Sequence, residues 1–460
     1  MMRLGTIAIW THGRLHGNDA EVTGVAIDTR KLEPGQLFVA IKGEHVDGHD
    51  YLVEAAARGA VAAMVTRRVD SDLPQLLVDN AVLALGDLAS ALRAQRDVRV
   101  IGITGSNGKT TVKTLAASIL SRHAPTHVNL GNYNNELGLP LTLLAMPVDT
   151  RFAVLEMGAG KPGDIAYLAA IARPDIGLVN IIAPAHLERM GSVEGVAETK
   201  GALYQALPAD GVAIINADDA FASFFEGLAG GRRILRFGLD HLADVGADIL
   251  EQGIDGSRFM LRTPQGEVEV ALPLPGRHNV ANALAAAAIA LALEVPLPTI
   301  VAGLQQVPGV AGRLRAAAMP GGWTLIDDTY NANPSSMSVA IDTLALAEGE
   351  RWLVIGDMAE LGTGARTLHA QVGRHAANRG IDRLLAVGPL SAAAVEAFGS
   401  NGEHFTDKAS LIAALQARLH GGVTCLVKGS RSAAMEQVVA ALGPPPHGED
   451  RNHGGASNAA

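Results

Sequence analysis

The sequence predicts an α/β fold divided into three domains, and three observations carry that prediction. The chain has 460 residues, more than one core ordinarily serves, so two or three domains are expected. Strand-length apolar runs alternate with helix-length segments in two separate stretches, the pattern of parallel sheets. Between strand and helix characters, the segment VRVIGITGSNGKTTVKTLAASIL carries a glycine-bearing loop.

Taken in order, residues 1–84 mix short apolar runs (LFVAI, AAMV, QLLV) with loops rich in Gly, Asp and His, and read as a small α/β domain. A helix-like stretch at 82–96 leads into VRVIGIT. Then RFAVLEMG, PDIGLVNII, a helix from Ser192 and VAIINADD alternate, which predicts a mostly parallel central sheet over 85–312. From Arg313 a second set, WTLIDD, RWLVIGDM, RLLAVG and TCLVKGS, predicts a Rossmann-like doubly wound domain over 313–443. There is no fixed-period repeat. Residues 444–460 are polar and rich in Gly and Pro, and are expected to be a disordered tail in which His447 and His453 are solvated.

Composition narrows the function. Hydrophobic residues make up 48%, enough for a core in each domain, and the net charge of −10 argues against a nucleic-acid binder, which would show a basic face. The single cysteine, Cys425, excludes an internal disulfide framework and reads as a buried thiol in VTCLVKG. The N-terminus lacks a signal-peptide layout. The most apolar helical stretch, 280–293, is interrupted by Asn282 and falls short of the ~20 residues a membrane span requires. A soluble cytoplasmic protein is expected.

The chemistry starts at the loop, Thr104, Gly105, Ser106, Asn107, Gly108, Lys109, Thr110 and Thr111. Backbone N–H groups of such a loop, backed by a helix N-terminus, form an anion site. Lys109 would reach the outer phosphates of ATP and the Thr110 hydroxyl would sit on Mg²⁺. The common spacing puts Gly at 103, where this chain has Ile103. The bland alternative is a tight turn between strand and helix. Glu156 ends a predicted strand, where a carboxylate points into the crevice. His186 comes just after the next strand and by itself reads as a hydrogen-bonded loop histidine. Lys200 by itself reads as a solvated helix lysine.

Together these segments acquire a meaning that none has alone. TGSNGKTT, NYNNELGLP, EMGAG, PAHL, the Lys200 segment, GRHNVANALAA and DDTYNANPSSM occur in the order found in the Mur ligases, which the chain resembles from about Asp28 to Glu436. That family joins amino acids or peptides to a UDP-linked muramic acid precursor of the bacterial cell wall. YNANP, GDMAELG and KGSRSAAME are similar to the branch that joins D-alanyl-D-alanine to UDP-N-acetylmuramoyl-tripeptide, and DTRKLEPGQLFVAIKGEHVDGHDY to its uridine-nucleotide domain.

Carried over by position, the resemblance implies ATP and Mg²⁺ as cofactors. It places Lys109 and Thr110 on phosphates and metal, Glu156 and His186 at a magnesium site, and Lys200 as a carbamylated metal ligand. It implies adenine contact at Asn279, γ-phosphate contact at Arg313 and ribose contact at Asp328. Tyr330 and Asn333 would lie near the nucleotide or the incoming dipeptide, and Asn134 and Asn135 in the substrate cleft. Thr29, Arg30, Lys42, Asp47, Gly48 and His49 would serve the UDP-sugar end. The implied catalytic set is Lys109, Lys200, Glu156, His186 and Arg313, in a monomer without a nucleic-acid partner. Two positions depart from the family pattern: Thr29 stands where Ser is commoner, and Ala202 where a Glu is usual just after the lysine. The competing expectations are a sibling ligase adding the third residue, a folylpolyglutamate synthase, or a P-loop ATPase that forms no bond.

Overall fold

Valine- and isoleucine-rich runs bounded by glycine and loop residues build the centre of the molecule. The computed structural model describes residues 2–184, 187–309 and 312–443. Six parallel strands lie in the order Arg233–Phe237, Val212–Asn216, Ile176–Val179, Arg99–Thr104, Phe152–Glu156, Thr126–Val128. Their inner strands are buried on both faces because helices cover the sheet on each side. The chain leaves Arg99–Thr104 toward one edge and later returns on its other side. The crevice beyond Thr104 is therefore a topological switch point, where open α/β sheets place their ligands.

From Ala283 onward the helix Arg277–Ala292 is apolar on all sides, and it is almost wholly buried, a core helix and not a membrane span. No helix among the described residues is long and apolar enough to cross a membrane. Its alanines let it lie close to the helix Lys109–Leu120, which also receives the helix Leu297–Gln305. An antiparallel meander, Gly246–Gly253, Gly256–Thr263 and Gly266–Leu272, covers the other end of this core. The alternation of strands and helices does not predict it, although alternating apolar residues between DG and QG turns are a hairpin signature.

A second six-stranded sheet has the order Arg315–Ala318, Thr324–Asp328, Val423–Lys428, Glu350–Gly356, Arg383–Val387, Gly402–Phe405. Only the edge strand Arg315–Ala318 is antiparallel, and separate hydrophobic clusters fill its two faces, as doubly wound topology requires. Cys425 lies buried in its central strand, where loss of water pushes the thiol up to about 12. The N-terminal sheet has five strands, Arg14–His16, Gln75–Leu77, Ala62–Val65, Gln36–Val39 and Gly24–Ala26, antiparallel only at Arg14–His16. The helix Ala81–Ala94 leaves it; its first half packs on the N-terminal core and Ala89 on the central one. A division at residue 84 thus falls inside this helix. The tail 444–460, with His447 and His453, lies outside the described residues.

The close approach at Gly303 is testable. A Cβ there would meet the Ile119 Cα at 2.5 Å, so the two helix backbones touch with no side chain between them. Gly303→Ala should push Leu297–Gln305 off its neighbour at about 1–3 kcal/mol of overpacking. A thermal melt of the whole chain should begin several degrees lower; an unchanged melt would contradict this packing.

Candidate active site

Ile103 is fully buried in the central strand, so the chain turns only after Thr104, whose hydroxyl donates to the Met157 carbonyl at 2.8 Å. The turn then uses two glycines in left-handed conformations, Gly105 at φ +145° and Gly108 at φ +80°. At Gly108 a Cβ would lie 2.2 Å from Asn180 Nδ2, so glycine is required by space as well as by backbone. The departure at 103 is thereby explained: Ile103 belongs to the strand, and Gly105 to Gly108 form the loop. Ser106 locks the loop to the neighbouring strand end, its amide donating to the Ile181 carbonyl at 2.7 Å and its hydroxyl to the Ala183 carbonyl at 2.9 Å. Lys109 opens the helix and curls back to donate to the Gly105 carbonyl at 2.9 Å. Thr111 lies on the same first turn.

Glu156 ends its strand beside this loop and is 3% exposed. Its Oε2 accepts from the Thr110 hydroxyl at 2.8 Å, and its Oε1 from Asn134 Nδ2 at 2.7 Å. Lys113, one helical turn beyond Lys109, stands 3.7 Å from Oε2 and donates to the Asn129 carbonyl at 2.8 Å. Burial alone would raise the carboxyl pKa. The charges of Lys109 and Lys113, with the hydrogen bonds from Thr110 and Asn134, outweigh it and hold the group below its ordinary range. Asn129 completes the support, accepting from the Glu156 amide at 3.0 Å and donating to its carbonyl at 3.0 Å.

Lys109, Asn134 and Glu156 border a cleft of about 430 Å³ that also takes in Asn135, Lys161, Asp164, Lys200, Arg313 and Tyr330. Lys200 lies on the buried face of the helix Val193–Gln205, not in solvent. Burial, with the Lys109 charge nearby, brings its ammonium down to about 7. A lysine in that state is substantially neutral near neutral pH. His186 lies outside the described residues. Among the described residues, no three His, Cys, Asp or Glu side chains cluster as a metal site.

The C-terminal sheet contributes the far wall. Arg313 stacks on the Tyr330 ring with its guanidinium carbon 4.2 Å from the centroid, and one terminal nitrogen reaches the Thr110 hydroxyl at 3.4 Å. Its Nε is buried without a protein partner. The flanking residues Gly312 (φ +68°) and Leu314 (φ +48°) both adopt left-handed backbone, which turns Arg313 toward the loop. Asp328 fixes that geometry by accepting from the Leu314 amide at 3.2 Å, while Lys428 donates to its other oxygen at 2.5 Å. Burial pushes the Asp328 pKa up despite Lys428.

Other residues named from sequence lie apart from the cleft. Asn279 donates to the Pro275 carbonyl at 2.8 Å and accepts from Asn282, which in turn accepts from Asn180. In the N-terminal sheet, Thr29 donates to Glu54 and Arg30 pairs with Asp28. Asp47 accepts from the His49 amide and ring, which takes its carboxyl down to about 2. His49 accepts from the Thr66 amide, Lys42 bridges to Asp47, and a Cβ at Gly48 would lie 2.7 Å from the Ile41 amide. Lys31, beside that group, donates to the Tyr133 hydroxyl at 3.2 Å and so links it to the Asn134 loop. Lys113, Asn129 and Asn180 are site residues that the motifs do not single out, and Lys428 opens the KGSRSAAME segment without a role having been assigned to it. Lys113 is detectable as i+4 from Lys109, and Asn180 as a polar residue ending an apolar strand.

Comparison with known proteins agrees with this architecture. The chain matches the Mur ligase middle domain over residues 103–290 and the Mur ligase glutamate ligase domain over 312–431. Residues 21–93 match the catalytic domain of the Mur ligase family. It is 47% identical to the UDP-N-acetylmuramoyl-tripeptide–D-alanyl-D-alanine ligase of Escherichia coli K12, covering 94% of this chain and 96% of that one. MurF from Acinetobacter baumannii superposes with a TM-score of 0.90 at 37% identity, over 95% of this chain and 98% of that one. The MurF ligase of Thermotoga maritima, solved in complex with ADP, gives 0.82 at 27% identity over 93% and 98%. With three domains matched in order and near-complete coverage of its relatives, the chain belongs to the Mur ligase family.

Proposed function

We propose that the protein is an ATP-dependent ligase that joins D-alanyl-D-alanine to UDP-N-acetylmuramoyl-tripeptide, giving the pentapeptide precursor, ADP and phosphate. The observation that carries this reading is the buried Glu156 beside the phosphate loop, inside a cleft that both the central and C-terminal sheets line. The near-full-length relatives bear the name of this activity. A bond-forming role fits the cleft better than hydrolysis alone, because it extends past the loop to Asn134, Lys161 and Asp164, where an acceptor carboxylate has room.

A carboxylate does not react with an amine until one of its oxygens becomes a leaving group. In the proposed reaction the tripeptide's terminal carboxylate attacks the γ-phosphorus of ATP. A new P–O bond forms, the bond to the β-phosphate oxygen breaks, and ADP departs. The free amine of D-alanyl-D-alanine then attacks the acyl carbon, giving a tetrahedral intermediate that loses a proton and expels phosphate. Amides of the phosphate loop, Lys109 and Arg313 would hold the triphosphate and offset its charge, and positioned charge of this kind supplies most of the rate in phosphoryl transfer. The Arg313 guanidinium is held in place by the Tyr330 ring on one face, and its buried Nε has no protein partner.

The donor set suits Mg²⁺. Glu156 is held ionised and the Thr110 hydroxyl is 2.8 Å from it, both hard oxygen donors. His186 is proposed to serve the same site. A bound Mg²⁺ would offset charge on the phosphates. Lys200 would join through a carbamate: the neutral amine adds to CO₂, an N–C bond forms, a proton leaves, and the cation becomes an anionic oxygen donor. Its pKa of about 7 supplies the neutral amine that this step needs. We place the UDP-sugar end on the N-terminal sheet near Thr29 and Arg30, linked to the cleft through Lys31 and Tyr133.

Two measurements test the reading. ADP release from ATP and UDP-muramoyl-tripeptide should rise at least tenfold on adding D-alanyl-D-alanine, with pentapeptide formed one for one. Turnover indifferent to the dipeptide would leave a simple ATPase; a single amino acid serving as well would point to the sibling ligase. Lys200→Ala should lose more than a hundredfold in kcat and regain activity with added acetate or propionate. Full activity without such rescue would remove the carbamate.

A further inference from the structure

Among the described residues, two side-chain hydrogen bonds tie the C-terminal domain to the phosphate loop and its helix. One is the long contact from Arg313 to Thr110; the other runs from Asn333 Nδ2 to Asn107 Oδ1 at 2.8 Å. Asn333 makes the second contact with half of its amide, because the other half is already committed. Its Oδ1 accepts from the Ser336 amide at 2.8 Å, and the Ser336 hydroxyl accepts from the Asn333 amide at 3.0 Å. This capping box opens the helix Pro334–Leu344, with Pro334 at its first position. The side chain is therefore held in one rotamer, and its NH₂ group is aimed by the helix it caps.

Asn107 is held through its backbone. Its carbonyl accepts from Asn180 Nδ2 at 3.1 Å, and Gly108 beside it has left-handed backbone. Its side-chain Oδ1 accepts from Asn333 Nδ2. The same helix also abuts the central domain, where a Cβ at Gly276 would meet the Thr343 hydroxyl at 2.8 Å. The helix Pro334–Leu344 is thus seated against the central domain at two points.

We infer that Asn333 is a positioning residue that fastens the seated C-terminal domain to the phosphate loop through Asn107, and does not contact the dipeptide. The clasp sets the loop's curvature when the domain is in place. It thereby links the approach of Arg313 to a loop shaped for phosphate. This inference rests on the ATP-ligase reading above.

The test separates capping from clasping. In Asn333→Ser the shorter hydroxyl still caps the helix but stops short of Asn107, whereas Asn333→Ala loses both contacts. Asn333→Ser should keep the wild-type melting temperature. Its kcat should fall and its KM for ATP rise, together by about three- to tenfold, the value of one neutral hydrogen bond. Its KM for D-alanyl-D-alanine should not change. Asn107→Ala removes the acceptor without touching the cap and should reproduce that loss, and the double variant should be no worse than either single one. Additive losses, a raised KM for the dipeptide, or wild-type kinetics in Asn107→Ala would overturn the inference. Should Asn333→Ser fold poorly, Asn107→Ala still decides it. Absence of dipeptide-dependent turnover in the wild-type chain would instead defeat the ligase reading.

Discussion

The organising constraint is a single buried carboxylate that must stay ionised. Glu156 sits where water is excluded, and desolvation by itself would protonate it. It remains charged because the phosphate helix turns Lys109, Thr110 and Lys113 toward it, spaced to share one face, while Asn134 reaches it from the opposite loop. Its partners come from separate segments, so the cluster forms only when the strands Arg99–Thr104 and Phe152–Glu156 pair in register. Its strand ends where strand order reverses, which puts Glu156 in the lining of the cleft.

The same electrostatics extend outward. Lys200 shares the buried space with Lys109, and two cations without water favour a neutral amine on one of them. Arg313 adds a further positive charge on a short strained linker, Gly312 to Leu314, whose geometry Asp328 and Lys428 fix from below. The C-terminal domain thus acts as a wall that brings one guanidinium to the hydroxyl of Thr110. Among the described residues, its side-chain attachment to the loop and its helix is two hydrogen bonds, Arg313 to Thr110 and Asn333 to Asn107.

Much of this is legible in the residues. The three-part α/β layout comes from alternating runs, and the phosphate loop from GKTT between strand and helix. Glu156 is readable as a carboxylate at a strand end. The rest is not, for identifiable reasons. The meander at 246–272 lies between two parallel strand sets, where continued alternation is the natural expectation. Lys113 and Asn129 look like ordinary polar residues until strand pairing buries them against Glu156. Lys200 reads as exposed on its own helix, and only packing of the helix Val193–Gln205 on the central sheet shows that it is not. Asn279 and Asp328 carry family-implied roles, yet here their side chains are engaged within the fold, which one-dimensional spacing does not reveal.

The central claim is that the cluster around Glu156 serves transfer of phosphate to a carboxylate, and not to water. Isotope content of the released phosphate tests it most directly. UDP-muramoyl-tripeptide labelled with ¹⁸O in its terminal carboxylate should, with ATP and D-alanyl-D-alanine, yield phosphate carrying one ¹⁸O per pentapeptide formed. Phosphate free of the label, with pentapeptide still produced, would contradict activation through an acyl phosphate.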